Sequence, residues 1–262
     1  MHAENSHPTV LCFAGLDPSG GAGLQADIET IASCGGHALP IATCLTVQSS
    51  VQAFSFSAVD TNIIQQQFNA LKSDMHISAC KIGVIPNASI ASCVATLIQQ
   101  LPGIPIIYDP VLAASNGSQF SSHSTIDIIK SDLLPHITVL TPNISEINTL
   151  LDTNISEITQ ASVLCQLGPS YVLATDADSE SEHVNNVLIS STGLLEDYQY
   201  QRLPHQYHGS GCTLSSALTC YLAQNLSIKK AVKFAQDFTY QTLKNAHAIG
   251  QGQWIPNRML RS

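Results

Sequence analysis

Near the C-terminus the run His208-Gly209-Ser210-Gly211-Cys212-Thr213 opens a long apolar helical pattern. Two glycines allow a sharp backbone turn, and a helix start presents N–H groups with no intrahelical partner. Such a junction is a ready site for an anion. Cys212, in the first turn, sits where the positive end of the helix dipole favours thiolate, so the segment reads as a phosphate site with a proton-accepting thiol inside it. A glycine-bounded helix start with a core-filling cysteine explains the same residues, and other segments must decide.

Further polar or glycine-rich groups follow short apolar runs. They are Gly15 through Gly23, Thr46-Val47-Gln48, Lys81-Ile82-Gly83, Asp109-Pro110-Val111 and Thr141-Pro142-Asn143-Ile144-Ser145-Glu146. Asp27 comes one turn into the next helical pattern, where it would either accept hydrogen bonds from a ligand's amine or hydroxyl or complement the helix dipole. Asn143 and Glu146 form an N-x-x-E step at a helix start, which reads equally as a capping box. Near bound phosphates, Asp109 and Glu146 would be a Mg²⁺ site, because that ion is typically held by one or two carboxylates, water and the substrate's own phosphates. Gly21-Ala22-Gly23-Leu24-Gln25-Ala26 fits a dinucleotide fingerprint, but no carboxylate stands in Ile41–Ser50, where a ribose-binding acid would be needed.

The elements that must position these groups alternate. Thr9–Ala14, Ala38–Thr46, Ala79–Ile82, Pro105–Tyr108, Ile137–Leu140 and Ser170–Leu173 read as strands; Gly21–Ala32, Thr61–Lys72, Ala88–Gln100 and Ser124–Lys130 read as helices between them. A hairpin over His183–Ser190 and Gly193–Leu203 follows, then helices Gly211–Gln224 and Ile228–Ala246. Repeated β-α-β order predicts an α/β protein with a mostly parallel sheet covered on both faces, and one domain over residues 1–262. Ligands of such sheets bind beyond the carboxyl ends of the strands, where the polar groups lie.

The composition narrows the partners. Ten Lys and Arg against nineteen Asp and Glu leave a net charge of −9, which lacks the basic footprint of a nucleic-acid or anionic-lipid binder. Apolar runs are too short to span a bilayer and Met1–Pro8 is polar, so no membrane association is expected and a cytoplasmic protein is. Eight cysteines without C-x-x-C or zinc-ligand spacing read as reduced thiols, and no structural metal is expected.

Taken together, the stretch Ala14 to Asp27, Lys81-Ile82-Gly83, Asp109-Pro110-Val111, Thr141-Pro142-Asn143-x-x-Glu146 and His208 to Ser215 resemble the ribokinase-like superfamily, specifically the hydroxymethylpyrimidine/phosphomethylpyrimidine kinases of thiamin biosynthesis. The resemblance spans nearly the whole chain. It implies a ribokinase-like three-layer sandwich, and transfer of a phosphoryl group from ATP, with Mg²⁺, to the hydroxymethyl oxygen of the pyrimidine or to its existing phosphate. By position, Asp27 and Gln48 would read the aminopyrimidine edge, with Gly15 and Val84 lining the ring. Gly209, Ser210 and Gly211 would form the anion hole and Cys212 would be the base. Asn143, Glu146 and Asp109 would organise metal and polyphosphate, and relatives imply a homodimer. Pyridoxal kinases are the nearest alternative, and a precursor-binding relative with weak catalysis is another.

Two departures from the family pattern stand out. Where it has Lys-Gly-Gly-His, Leu173 is followed by Ala174-Thr175-Asp176 and further acids, which leaves Thr175 beside the nucleotide. Where it has Lys-Ser-Gly, this chain has Ser115-Asn116-Gly117. Fewer fixed cations should weaken nucleotide binding and charge neutralisation.

Overall fold

The structure, a computed structural model, describes residues 7–112, 122–155, 158–176, 179 and 181–259. The Ser115–Gly117 departure and most of the polar Met1–Pro8 start lie outside the described residues. One nine-stranded sheet runs in the order β3-β2-β1-β4-β5-β6-β7-β8-β9. Its strands are β1 (Thr9–Leu16), β2 (His37–Gln48), β3 (Ala53–Ala58), β4 (Ala79–Ile82), β5 (Ile106–Tyr108), β6 (Val139–Leu140), β7 (Tyr171–Ala174), β8 (His183–Ser190) and β9 (Gly193–Gln201). The strands from β2 through β7 pair in parallel, while β3 and the β8–β9 hairpin are antiparallel edges. Val10 to Phe13 and Ile106 to Tyr108 are withdrawn from solvent, as both-face burial of a parallel sheet requires.

Helices α1 (Gly23–Ser33), α6 (Ser210–Ala223) and α7 (Ile228–Lys244) cover one face; α2 (Thr61–Asp74), α3 (Ala88–Ile98), α4 (His123–Ile128) and α5 (Ile144–Leu151) cover the other. The larger core, with Phe13, Phe68, Ile82 and Ile90, lies under the second group. Leu214, Leu218, Val232 and Leu188 pack under the first. This is the expected three-layer arrangement, with a mostly parallel sheet.

Several boundaries depart from the sequence reading. Strand β3 was not anticipated, because Ala53-Phe54-Ser55-Phe56-Ser57-Ala58 is largely exposed and pairs only with the end of β2. That pairing extends β2 to Gln48. Helix α1 starts at Gly23 rather than Gly21, because Gly20 and Gly23 both hold positive φ. The Ser124–Lys130 helix becomes α4, continuing into a π turn over Ile129–Leu133 and a 3₁₀ turn over Leu134–His136, while Ile158–Leu167 is a further 3₁₀ stretch.

Candidate active site

A cleft of about 310 Å³ opens beyond the carboxyl ends of β1, β2, β4, β5 and β6. One wall carries Gly15, Gln48 and Val84; the opposite wall carries Asn143, Glu146 and Thr175; and Gly209, Ser210, Gly211 and Cys212 lie between. Asp109 and Lys81 also line it. Eleven of the twelve residues singled out from sequence thus meet in one place, although their segments stretch from the first strand to the sixth helix. Asp27 is the exception.

The floor is built from the start of α6. Gly209 is its N-cap at φ 80°, in the left-handed region that a side chain rarely adopts. A Cβ there would come within 2.1 Å of the Gly21 carbonyl oxygen. Thr213 donates through its backbone N–H and its hydroxyl to the Gly209 carbonyl at 3.0 and 2.8 Å, holding the turn. Ser210, Gly211 and Cys212 then occupy the first turn, whose N–H groups have no intrahelical partner. Small residues continue inward. Ser215 donates to Asp109 Oδ2 at 3.2 Å, and Ser216 donates to Asp27 Oδ1 at 2.6 Å.

The family resemblance implied a place at the ligand for Asp27; in the structure its side chain is wholly buried at the back of the cleft. Asp27 lies one turn into α1 on its inward face, where it meets Lys81 of β4 and Ser216 of α6. Its Oδ1 accepts from Lys81 Nζ at 2.9 Å, and neither side chain has solvent-accessible area. Gly83 makes room for that ammonium, since a Cβ there would lie 2.9 Å from Lys81 Nζ. The role of Lys81 was missed. The signal was available: a lysine inside the otherwise apolar strand Ala79–Ile82 must have a buried anion.

The pair sets the field around the thiol. Burial pushes the Cys212 thiol up to about 12; Lys81 opposes this, Asp109 and Asp27 reinforce it, and a Gly23 backbone hydrogen bond favours thiolate. Desolvation in a floor shared with two carboxylates thus opposes the thiolate that the helix start was expected to favour. Lys81 itself is held above the ordinary lysine range, because burial, which disfavours its charge, is overcome by Asp27 with Cys212 and Asp109 behind it. Burial likewise raises Asp109 against the pull of Lys81.

Across the cleft Asn143 caps α5 in the reciprocal pattern read from sequence. Its side chain accepts from the Glu146 N–H at 2.8 Å, and Glu146 Oε2 accepts from the Asn143 N–H at 2.9 Å. The cap does not exclude a ligand role, because Glu146 still lines the cleft. Asp109 and Glu146 act on the same region. The buried Tyr108 hydroxyl is raised first by desolvation and then by both carboxylates. Asp109 and Glu146 both line the cleft, and two carboxylates are a donor set that fits Mg²⁺, a hard, oxygen-seeking cation. Thr175 donates its backbone N–H to the Pro142 carbonyl at 2.9 Å and pairs with Asn143, which fixes it at the rim beside β6. Among the described residues Lys81 supplies the cleft's lysine or arginine charge, and Asp27 already engages it.

Sequence reasoning also missed Asp17. Its Oδ1 accepts from the Ser19 N–H and hydroxyl at 2.8 and 2.7 Å, and its Oδ2 accepts from the Ala22 N–H at 2.9 Å. His208 Nε2 lies 2.8 Å from the same Oδ2, so one carboxylate ties the 17–23 glycine loop to the loop that precedes the anion hole.

The described residues include no helix long and apolar enough to cross a membrane. The family model for phosphomethylpyrimidine kinase matches residues 17–257. A hydroxymethylpyrimidine/phosphomethylpyrimidine kinase of Haemophilus influenzae is 34% identical over 257 residues, covering 95% of each chain. Among solved structures, a phosphomethylpyrimidine kinase of Clostridium difficile superposes with TM-score 0.78 at 26% identity, over 90% of this chain and 99% of that one. The ADP complex of Bacillus subtilis pyridoxal kinase superposes with TM-score 0.86 at 25% identity, over 97% and 98%. With a ribokinase-like sandwich, a glycine-capped helix start in the floor of its cleft and a family match over nearly its whole length, the chain belongs to the phosphomethylpyrimidine kinase family.

Proposed function

We propose that this chain transfers the γ-phosphoryl group of ATP to the hydroxymethyl oxygen of 4-amino-5-hydroxymethyl-2-methylpyrimidine, and to the phosphate of the resulting monophosphate. The observation that carries this reading is the cleft itself. It sets the Gly209 to Cys212 turn between an apolar, amide-bearing wall (Gly15, Gln48, Val84) and a carboxylate-bearing wall (Asn143, Glu146, Asp109).

The pyrimidine lies against Gly15 and Val84, with Gln48 pairing its polar edge. Gly15 keeps that surface flat, since a Cβ would meet Val84 Cγ1 at 2.8 Å. The N–H groups of Ser210, Gly211 and Cys212 face the charge that develops on the transferring phosphoryl oxygens, and they need not reorganise to do so. The hydroxymethyl oxygen bonds to the γ-phosphorus, the bond to the β-γ bridging oxygen breaks, and ADP leaves. In the first phosphorylation the hydroxyl proton passes to Cys212. The Lys81 charge and the Gly23 N–H favour the thiolate that accepts it, against the desolvation that burial imposes. Asp109 and Glu146 would hold Mg²⁺, which neutralises phosphate charge when bound. Thr175 would stand beside the polyphosphate.

Pyridoxal is the second acceptor to weigh, on the strength of the likeness to the Bacillus subtilis pyridoxal kinase. ADP release measured with hydroxymethylpyrimidine, its monophosphate and pyridoxal side by side tests the choice. Turnover on the two pyrimidines should exceed that on pyridoxal, and the reverse order overturns the proposal. We also infer a homodimer in the cytoplasm. Exposed Leu45, Val47 and Phe54 at the β2–β3 edge support the dimer, and sedimentation velocity checks it.

A further inference from the structure

After α7 the chain crosses back over the site. Gln253 donates its N–H to the Ser50 carbonyl at 2.9 Å, and His208 donates its N–H to the Trp254 carbonyl at 2.9 Å. The Trp254 ring stacks on His205 with centroids 3.7 Å apart. The segment then delivers Arg258 into the interior, with 1% of the residue exposed. A buried guanidinium is costly unless its fork of donors is matched. Here the partners belong to both loops of the site.

Arg258 Nε donates to Thr213 Oγ1 at 2.8 Å, and Thr213 in turn donates to the Gly209 carbonyl at 2.8 Å. Arg258 Nη1 donates to the Gly20 carbonyl at 3.4 Å and lies 3.3 Å from Glu29 Oε2, while Nη2 donates to the Gly21 carbonyl. The guanidinium therefore fills the corner where the 17–23 loop meets the Gly209 turn. A Cβ on Gly209 would lie 2.8 Å from Nη2. Lysine cannot reproduce this, because a single ammonium cannot span Thr213 and two carbonyls in a planar fork.

We propose that Arg258 is a positioning residue that fixes the distance between the acceptor-side glycine loop and the anion hole, so that the C-terminal segment completes the reaction geometry. The inference rests on the kinase reading for its substrate but not for its structural content. Arg258 touches no reacting atom. It acts through Thr213 and Gly209 on one side and through Gly20 and Gly21 on the other.

Arg258→Ala and Arg258→Lys, compared with wild type in pyrimidine phosphorylation and in ligand-free amide hydrogen exchange, test this. In both variants kcat should fall by about tenfold to a hundredfold with KM for each substrate held within about threefold, since misplacement by about 1 Å has effects of that size. Exchange should quicken in 17–23 and 208–214 ahead of the rest of the chain. Methylguanidinium should restore part of kcat to Arg258→Ala and none to Arg258→Lys. Unchanged kcat, a loss confined to KM, absence of rescue, or uniformly faster exchange overturns the proposal. Should Arg258→Ala fail to fold, Thr213→Val combined with Arg258→Lys decides: less-than-additive losses in kcat support the shared path and additive losses overturn it. An inactive wild type would count against the kinase reading alone, and the exchange comparison would still judge Arg258.

Discussion

Lys81 Nζ stands 2.9 Å from Asp27 Oδ1 beneath the candidate active site, and water reaches neither side chain. Removing one partner of such a pair leaves an uncompensated buried charge, which costs on the order of 3–5 kcal/mol. Lys81→Met should therefore lower stability by that amount in urea unfolding. Pairing it with Asp27→Leu should recover most of the stability while turnover stays low, because the Lys81 charge that favours the Cys212 thiolate is gone. A double variant as unstable as the single one would show that the pocket cannot accept an apolar pair.

Cys212→Ala should reduce kcat by roughly 10²–10⁴, the range for loss of a general base, while nucleotide affinity stays near wild type. Steady-state kinetics and nucleotide titration check both halves. Near-normal turnover would assign proton acceptance to another group.

Glu146 serves two arrangements at once, and one substitution separates them. Glutamine retains the reciprocal cap of α5, so Glu146→Gln should leave the thermal midpoint within a few degrees. As a neutral amide it is a poorer ligand for a hard cation, so the Mg²⁺ concentration for half-maximal rate should rise. Unchanged Mg²⁺ dependence would restrict Glu146 to capping.

Asp17 supplies a pH signature. Burial alone would raise its pKa, but hydrogen bonds from His208 and Ser19 overcome this and hold it at about 2, below the ordinary value of 3.8. A depressed carboxyl pKa stabilises the fold above the unfolded pKa, and that contribution is lost as pH falls through the folded one. Wild type should thus lose on the order of 1–2 kcal/mol between about pH 4 and pH 2 that Asp17→Asn does not lose. Parallel acid-unfolding curves for the two proteins would remove Asp17 from the account.

The parallel strands, the β8–β9 hairpin and the C-terminal helices were legible because hydrophobic period and turn chemistry agree there. Strand β3 was not, because it is largely exposed and its ladder runs only along the end of β2, and the 3₁₀ stretch Ile158–Leu167 was not, because its buried Ala161, Leu164 and Cys165 follow neither the strand period nor a long α-helical one. Strand-end position marked Gly15, Gln48, Asp109, Asn143 and Glu146 and the glycine-bounded start of α6 marked the floor, whereas Val84 and Thr175 came only from the family resemblance. The place of Asp27 was not legible. Its partners, Lys81 on β4 and Ser216 on α6, lie 54 and 189 residues away, and no local pattern names them. Lys81 and Arg258 show the same limit from another side: each is a charge whose partner lies far along the chain, so local pattern reveals the cost of burial but not what meets it.

The tie between Asp17 and His208 joins residues 191 positions apart, and that between Gly20 and Arg258 joins residues 238 apart. During synthesis the acceptor wall emerges first. Asp27 and Lys81 can meet early, but the Ser216 hydroxyl that also binds Asp27 arrives only with α6. Until then the half-made sheet carries a charged pair in a floor without its lid, and contacts of such sequence separation are slow to close. A ribosome-bound or prematurely terminated chain that lacks residues beyond 209 should therefore be unable to build the floor of the cleft, which α6 supplies.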